Sequence, residues 1–227
     1  MCGFVASQKS PEIAPFEHSP AVALALAYAP RDVRPVFDDL FALDRRLADA
    51  VRQASEPIIA QMKLAWWRDR FAQSPAEWPK GEPLLARLAG WNADLAKLGA
   101  LVDGWEELVA EGALGDSAIM AFGEGHAAAW SVAAQALGHD GPPLPDQCAR
   151  LWAFADLAAH CSSAEDAERV RTMASDLLAR PVPRLPRALR PFAVLGALGR
   201  RSLRSGQPAL SGAGDFLAAV RAGMLGR

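Results

Sequence analysis

The sequence predicts an all-α protein, a single-domain helical bundle, on three observations. Alanine and leucine are abundant and β-branched residues are scarce, a composition that favours helices. Apolar residues recur at steps of three and four along most of the chain, which is the period of an amphipathic helix. Loops rich in proline and glycine separate these stretches, and no clear strand pattern is present. We therefore expect helices packed around one core.

Periodicity places the helices in order along the chain. Residues 1–19 contain polar residues and prolines without a period, so they are expected to form a poorly ordered leader to a helical domain at 20–227. Pro181–Pro191 contains four prolines and is expected to be extended or kinked. The predicted helices cover residues 21–29, 33–51, 55–71, 84–105, 119–137, 146–158, 164–179, 193–204 and 215–225.

Composition narrows the class of protein. With 227 residues, 51% of them hydrophobic and 22% charged, the chain has the balance of an ordinary globular protein with a sizeable core. A net charge of -2 gives no general attraction to nucleic acid. Cys2, Cys148 and Cys161 have no metal-ligand spacing, and no signal peptide is recognisable at the N-terminus. We expect a cytoplasmic protein, with attachment to the periphery of the inner membrane left open.

The stretch from Ser55 to Phe71 predicts a central helix. Pro57 fits a first helical turn, where a backbone N–H is not needed. Two adjacent tryptophans, Trp66 and Trp67, need separate walls, which favours neighbours on more than one side of this helix. The plainest interpretation is a buried core helix. One face of this helix contains Ile58, Met62, Ala65, Trp66 and Asp69, and another contains Ile59, Lys63, Trp67 and Arg70.

Asp44 lies in the middle of an apolar helical stripe. The other members of that stripe are Phe37, Leu40, Phe41, Leu47, Ala48 and Val51. A carboxylate in such a position needs a partner, because burying an unpaired charge is costly. An internal pair with an arginine is the preferred interpretation of Asp44, and metal binding is the alternative.

Further polar candidates lie on other predicted helices. Asp103 shares a face with Glu106 or Glu107, as an acidic pair or as a solvated helix end. His126 precedes Trp130 by four residues on an apolar face, where it is either a proton carrier or a core histidine with a satisfied hydrogen bond.

Seven arginines occur near the C-terminus with no acidic residue between them. Such a run fits a phosphate, an anionic membrane surface or an acidic protein partner, and a solvated basic face is the alternative. No aromatic residues for stacking bases are interleaved, so nucleic acid is excluded as a partner. The run consists of Arg180, Arg184, Arg187, Arg190, Arg200, Arg201 and Arg204.

Three stretches resemble squalene/phytoene synthase-like proteins. Gln61–Asp69, which reads Gln-Met-Lys-Leu-Ala-Trp-Trp-Arg-Asp, is similar to the segment after the first aspartate motif of that family. Leu40–Asp49 is similar to the motif region itself, and Leu185–Leu195 resembles the tail of short bacterial members. The resemblance implies the helical bundle of isoprenoid (terpenoid) synthases. It also implies a prenyl-binding cavity, with substrate-binding residues among Phe41, Arg45, Met62, Trp66, Phe122, His126, Trp130 and Asp156.

The family is known for two Asp-x-x-x-Asp motifs that hold Mg²⁺ against the diphosphate of a prenyl substrate during head-to-head coupling. In the first motif, Arg45 matches the arginine of the pattern and Asp49 one aspartate. Ala48 and Arg52 replace the other two aspartates, and Asp44 falls at a cysteine position. A single carboxylate beside an arginine is a poor magnesium site.

The second motif region is more strongly altered. His160 and Ala164 stand at about the positions of its aspartates, while Asp156 is near the position of the asparagine. A second metal cluster cannot be assembled from a histidine and an alanine. The resemblance therefore implies a member with degenerate motifs, which needs no metal cofactor.

Two functions are compatible with this resemblance. The first is a non-catalytic protein that binds a prenyl lipid or serves in assembly of a respiratory complex, as a mitochondrial complex I assembly factor of this family does. The second is an active prenyl-diphosphate transferase that uses Mg²⁺ and displaced carboxylates. Its candidate catalytic residues are Asp44, Asp49, Asp103 and Glu107.

Overall fold

The computed structural model describes residues 18–109, 112–142 and 144–227. In these ranges the chain forms eleven α-helices and four short 3₁₀ segments, without a strand, which confirms the all-α prediction. Of the expected leader, residues 1–17 lie outside the described part of the chain. The helices are α1 (Pro20–Leu26), α2 (Arg34–Arg52), α3 (Pro57–Phe71), α4 (Pro83–Leu88), α5 (Gly99–Glu106), α6 (Asp116–Ala136), α7 (Asp146–His160), α8 (Ala164–Met173), α9 (Ser175–Ala179), α10 (Arg190–Ser205) and α11 (Ala213–Leu225).

Helix α6 runs through the centre of the bundle. It is the longest helix, with 21 residues, and contacts α5 on one side and α7 on another. Helix α7 in turn packs on α10, which carries α11 on its outer side. Trp130 of α6 stacks on Phe192 of α10 with ring centroids 4.2 Å apart, so the aromatic core extends across these layers. None of the described helices is both long enough and apolar enough to cross a bilayer.

Helices α5 and α6 approach each other closely through glycines. A Cβ atom on Gly125 would lie 2.4 Å from the carbonyl oxygen of Ala100, and one on Gly104 would lie 2.9 Å from that of Ala121. Only a residue without a side chain fits at such a backbone contact. The close approach brings Trp105 of α5 against Phe122 of α6, with ring centroids 4.9 Å apart.

Two predicted helices are interrupted. The helix expected at residues 84–105 ends at Leu88, and α5 begins only at Gly99. The intervening residues include Gly90, Asn92 and Asp94, which favour turns over helix. The helix expected at residues 164–179 is divided into α8 and α9 at residue 174.

The prediction that α3 is a buried core helix is wrong for one of its two apolar faces. Its buried residues are Ala60, Leu64, Trp67 and Phe71. Ile58, Met62 and Trp66 instead point outwards, and Met62 is 68% exposed. The sequence of α3 carries apolar residues at helical steps on two faces, and the bundle covers only one of them. The expectation that neighbours surround this helix on several sides is therefore also incorrect.

We predict that Gly125→Ala destabilises the protein by about 1 to 3 kcal/mol, because the new methyl group meets backbone that cannot move aside without separating α5 from α6. The free energy of unfolding, measured by urea denaturation with circular dichroism, checks this expectation.

The matched control is Gly99→Ala, on α5, the helix that α6 contacts at Gly125. A Cβ atom on Gly99 would face open space, so this change should be neutral or should stabilise by up to about 1 kcal/mol through helix propensity. Equal effects of the two substitutions would show that the close approach of the helices does not limit stability.

Candidate ligand-binding cleft

Two cavities lie side by side between α2, α5 and α7. The larger has a volume of about 460 Å³ and the smaller about 270 Å³. Both linings include Arg52, Trp105, Asp156 and His160, so these four side chains form the boundary between the cavities. We call the two cavities and this boundary the cleft.

The larger cavity has an apolar body and a polar rim. Glu107, Ser162 and Asp166 are among its polar lining residues, and Cys161 also contributes. A mixed cavity of this size can hold an organic molecule with a polar end. Its larger apolar lining residues are Val51, Leu108, Leu114, Phe122 and Leu157.

Most of the charged side chains that α2 contributes to the cleft line the smaller cavity. Asp44, Arg45 and Asp49 all line it, together with Phe41. Arg45 and Asp49 lie one helical turn apart, with Nε and Oδ2 separated by 3.9 Å. Opposite charges therefore alternate along this wall of the cleft.

Asp44 is held by side chains from two other helices. Trp105 Nε1 donates a hydrogen bond of 2.8 Å to Asp44 Oδ1. The same oxygen lies 3.1 Å from His126 Nε2. The other ring nitrogen of His126, Nδ1, lies 2.9 Å from the carbonyl oxygen of Phe122. Since a carbonyl only accepts, Nδ1 carries a proton, and the Asp44 contact requires a second proton on Nε2 for a hydrogen bond.

The electrostatics of this contact favour an ion pair. Burial raises the pKa of Asp44, but the charge and hydrogen bond of His126, the Trp105 hydrogen bond and the charge of Arg52 outweigh it, so the pKa lies below its ordinary value. Burial lowers the pKa of His126, but the Asp44 carboxylate more than compensates and places it above the ordinary value. Asp44 is therefore charged, and His126 is protonated over a wider pH range than a free histidine.

Arg52 occupies the boundary between the cavities. Its Nη2 lies 3.5 Å from Asp156 Oδ2 on α7, and its guanidinium lies over the Trp105 ring, 5.7 Å from the centroid. His160 lies beside the same carboxylate, with Nδ1 at 3.5 Å from Asp156 Oδ1. Burial raises the pKa of Asp156 despite the opposing charges of His160 and Arg52. The one carboxylate that α7 contributes to both linings is thus partly neutralised by residues of the chain itself.

Several site predictions need correction. Asp44 was expected to pair with an arginine, but its direct partners are His126 and Trp105, because the glycine contact brings α5 and α6 next to it. Asp103 lines neither cavity and instead pairs with Arg68 at 2.7 Å. Asp49 and Glu107 do line the cleft, but in different cavities.

Only some of the residues predicted to line a prenyl-binding cavity line the cleft. Phe41 lines the smaller cavity and Phe122 the larger. Met62 and Trp66 lie on the exposed face of α3, outside both cavities. Trp130 is buried in the aromatic core against Phe192 rather than at a cavity wall. Helical spacing alone did not distinguish a cavity wall from a packed core.

Trp105 is the residue that sequence reasoning missed. It forms part of both linings, donates to Asp44 and packs under Arg52. The sequence contained a signal for this contact. A buried tryptophan N–H usually finds a hydrogen-bond acceptor, and the helical pattern placed the Asp44 carboxylate on an apolar stripe without an assigned partner.

A magnesium ion does not fit the side chains of the cleft. Mg²⁺ requires an octahedral set of oxygen ligands, with carboxylates supplying the protein's share. Across the described part of the chain, no group of three or more His, Cys, Asp or Glu side chains could hold a metal ion. The carboxylates of Asp44 and Asp156 are engaged by cationic or hydrogen-bonding side chains instead.

Comparison with known proteins agrees with this fold. The Squalene/phytoene synthase family model matches residues 17–110, which include α1 to α5 and therefore the α2 and α5 walls of the cleft. The match confirms the resemblance predicted from the sequence over these residues, which are fewer than half of the chain. The all-helical architecture is consistent with the isoprenoid synthase type. Searches of curated proteins and of solved structures found no match.

We predict that His126→Gln lowers the free energy of unfolding by about 3 kcal/mol near pH 6, because it leaves the Asp44 carboxylate without its cationic partner. The raised pKa of His126 stabilises the folded protein fully below its unfolded value of 6.5, and this contribution is lost as the pH rises through the folded value. The difference between wild type and variant should therefore shrink at alkaline pH. Urea denaturation at a series of pH values measures it.

His160→Gln is the control, because His160 is half exposed and its replacement should cost no more than about 0.5 kcal/mol. A wild-type pH dependence that survives unchanged in His126→Gln would contradict the proposed ion pair.

Proposed function

We propose that the protein is a squalene/phytoene synthase-like protein that has lost magnesium-dependent diphosphate chemistry and binds a prenyl lipid in the cleft. The observation that carries this proposal is the contact of Arg52 with Asp156. In the family pattern, the residue at position 52 is an aspartate of the first motif, and it faces the helix that carries the second motif. Here a guanidinium takes that position and is directed at the carboxylate of α7.

The presence of an arginine where the family has an aspartate argues against metal-ion catalysis because of the charges involved. Two opposed carboxylate clusters attract divalent ions, which then neutralise a diphosphate. Arg52 brings positive charge to the same place without a metal. An arginine can bind a phosphate-bearing group directly, but it does not supply the oxygen ligands that a metal-assisted departure of diphosphate requires.

The cavities support retention of a binding function. The larger cavity combines apolar walls with the Arg52 and Asp156 boundary, so an isoprenoid chain would lie among the apolar side chains with its polar end at the boundary. A role in assembly of a respiratory complex would use the same bundle as a binding module. The alternative, an active prenyl-diphosphate transferase, would depend on Asp44, Asp49 and Glu107, which are divided between two cavities.

We expect the purified protein to release no diphosphate from farnesyl or geranylgeranyl diphosphate in the presence of Mg²⁺. The reason is the lack of converging carboxylates among the described residues. A coupled diphosphate assay with product extraction measures this. Release above background that disappears in Asp49→Ala would establish the transferase alternative and overturn the loss of catalysis.

We expect Arg52→Met to weaken binding of a prenyl diphosphate by about ten- to a hundredfold, because a charged hydrogen-bond donor is lost and the Asp156 carboxylate is left to repel the headgroup. Binding of the uncharged prenol should change by no more than about threefold, since the apolar walls are retained. Isothermal titration calorimetry without metal measures both ligands.

Arg169→Gln is the matched control, because Arg169 pairs with Asp116 and Glu165 on the surface and lines neither cavity. Failure of wild type to bind either ligand, with no lipid recovered by solvent extraction of the purified protein, would remove the lipid-binding proposal.

Cysteine labelling locates the bound ligand in the same experiment. Cys161 lines the larger cavity, whereas burial raises the pKa of the Cys148 thiol to about 12 and keeps it unreactive. In a Cys2→Ser background, a ligand in the larger cavity should slow alkylation of Cys161. Unchanged labelling at saturating ligand would place the binding site elsewhere.

A further inference from the structure

Helix α11 exposes an apolar face at the end of the chain. The helix packs on the bundle through Ala219, Ala222 and Gly223, and these residues are buried. Leu217 and Met224 point away from the bundle and are 67% and 68% exposed. Phe216 and Leu225 are exposed beside them. Four large apolar side chains on one short helix form an unusual surface for a globular protein.

Arginines surround this apolar face. The segment before α10 packs along the end of α11, where Arg184 Nε donates to the Leu225 carbonyl at 2.9 Å. Arg190 Nη1 donates to the carbonyl of Gly223 at 2.8 Å. Arg221 is exposed on α11 itself, between Leu217 and Met224 at helical steps. The guanidinium groups of Arg184 and Arg190 therefore lie at the C-terminal end of α11, and that of Arg221 projects from its exposed side.

The charge of this region is strongly one-sided. Residues 177–227 contain nine arginines and a single acidic residue, Asp215, although the whole chain has a net charge of -2. Asp215 is buried and held by Arg201 at 2.6 Å and by the Ser211 backbone at 3.0 Å. The hydrogen bond from Arg201 is the main reason why the pKa of Asp215 lies below its ordinary value. The single carboxylate is thus already neutralised, and the positive charge remains uncompensated.

We propose that this surface, formed by the exposed side chains of α11 with Arg184 and Arg221, docks on an anionic phospholipid bilayer. The helix would lie in the plane of the membrane. Its apolar side chains would enter the boundary between headgroups and acyl chains, and the arginines would bind lipid phosphates.

The position of Arg221 and the charge around it suit an anionic lipid surface. It lies within the apolar face, four residues after Leu217 and three before Met224. At a membrane, its aliphatic stem covers apolar surface while the guanidinium reaches the headgroups. The excess of arginines over acidic residues in residues 177–227 complements the many phosphates of an anionic bilayer, which several arginines can contact at once.

Flotation with lipid vesicles tests the proposal on the full-length protein. We expect binding to vesicles that contain phosphatidylglycerol, little binding to phosphatidylcholine alone, and release at high ionic strength. Arg221→Gln should weaken binding by about fivefold, the effect of one arginine near an anionic surface. The double variant Leu217→Ser, Met224→Ser should weaken it by about tenfold or more, because the inserted apolar area is lost.

Two control variants distinguish docking through this surface from nonspecific adsorption to vesicles. Ile58→Ser, Met62→Ser removes an equally exposed apolar pair on α3, and Lys80→Gln removes an exposed charge remote from α11. Both should bind vesicles as wild type does, and thermal unfolding confirms that all variants are folded. The proposal is overturned if neutral vesicles bind equally well, if the α11 variants retain wild-type binding, or if the α3 pair has the same effect.

Discussion

The charge of the Asp44 carboxylate requires side-chain partners, and the arrangement of the central helices follows from where those partners lie. Asp44 lies on α2, His126 on α6 and Trp105 on α5, and both partners reach the same carboxylate oxygen. They can do so only because α5 and α6 touch backbone to backbone at Gly104 and Gly125. Packing and electrostatics are therefore coupled, since separating the two helices would leave a charged group without its partners.

The same internal compensation extends across the cleft to α7. Arg52 and His160 lie against Asp156, so the positive charge of Arg52 stands between the two cavities. A polar boundary flanked by apolar walls suits a molecule with a small polar end and a long apolar body. A helical bundle whose residues 17–110 match the Squalene/phytoene synthase family model thus contains a cleft whose charges are satisfied by one another.

The sequence was sufficient to predict some elements and insufficient for others. The apolar stripe of α2 was predicted well, because its buried and exposed faces differ clearly in composition. The orientation of α3 was not, because Met62 and Trp67 belong to two apolar stripes and only the neighbouring helices determine which one is covered. Asp44 could be recognised as needing a partner. That partner, His126, follows 82 positions later and becomes adjacent only in the folded bundle.

Local sequence therefore determined the helical class of the protein and the approximate helix positions, and short motifs carried the family resemblance. These features depend on residue type and on spacing within one helix, which the sequence contains directly. The tertiary structure alone decided which side of α3 is covered, which helix supplies the partner of Asp44 and how the cleft is divided. Those outcomes depend on the approach of helices distant in sequence, set here by backbone contact at glycines and by the need to satisfy buried charge.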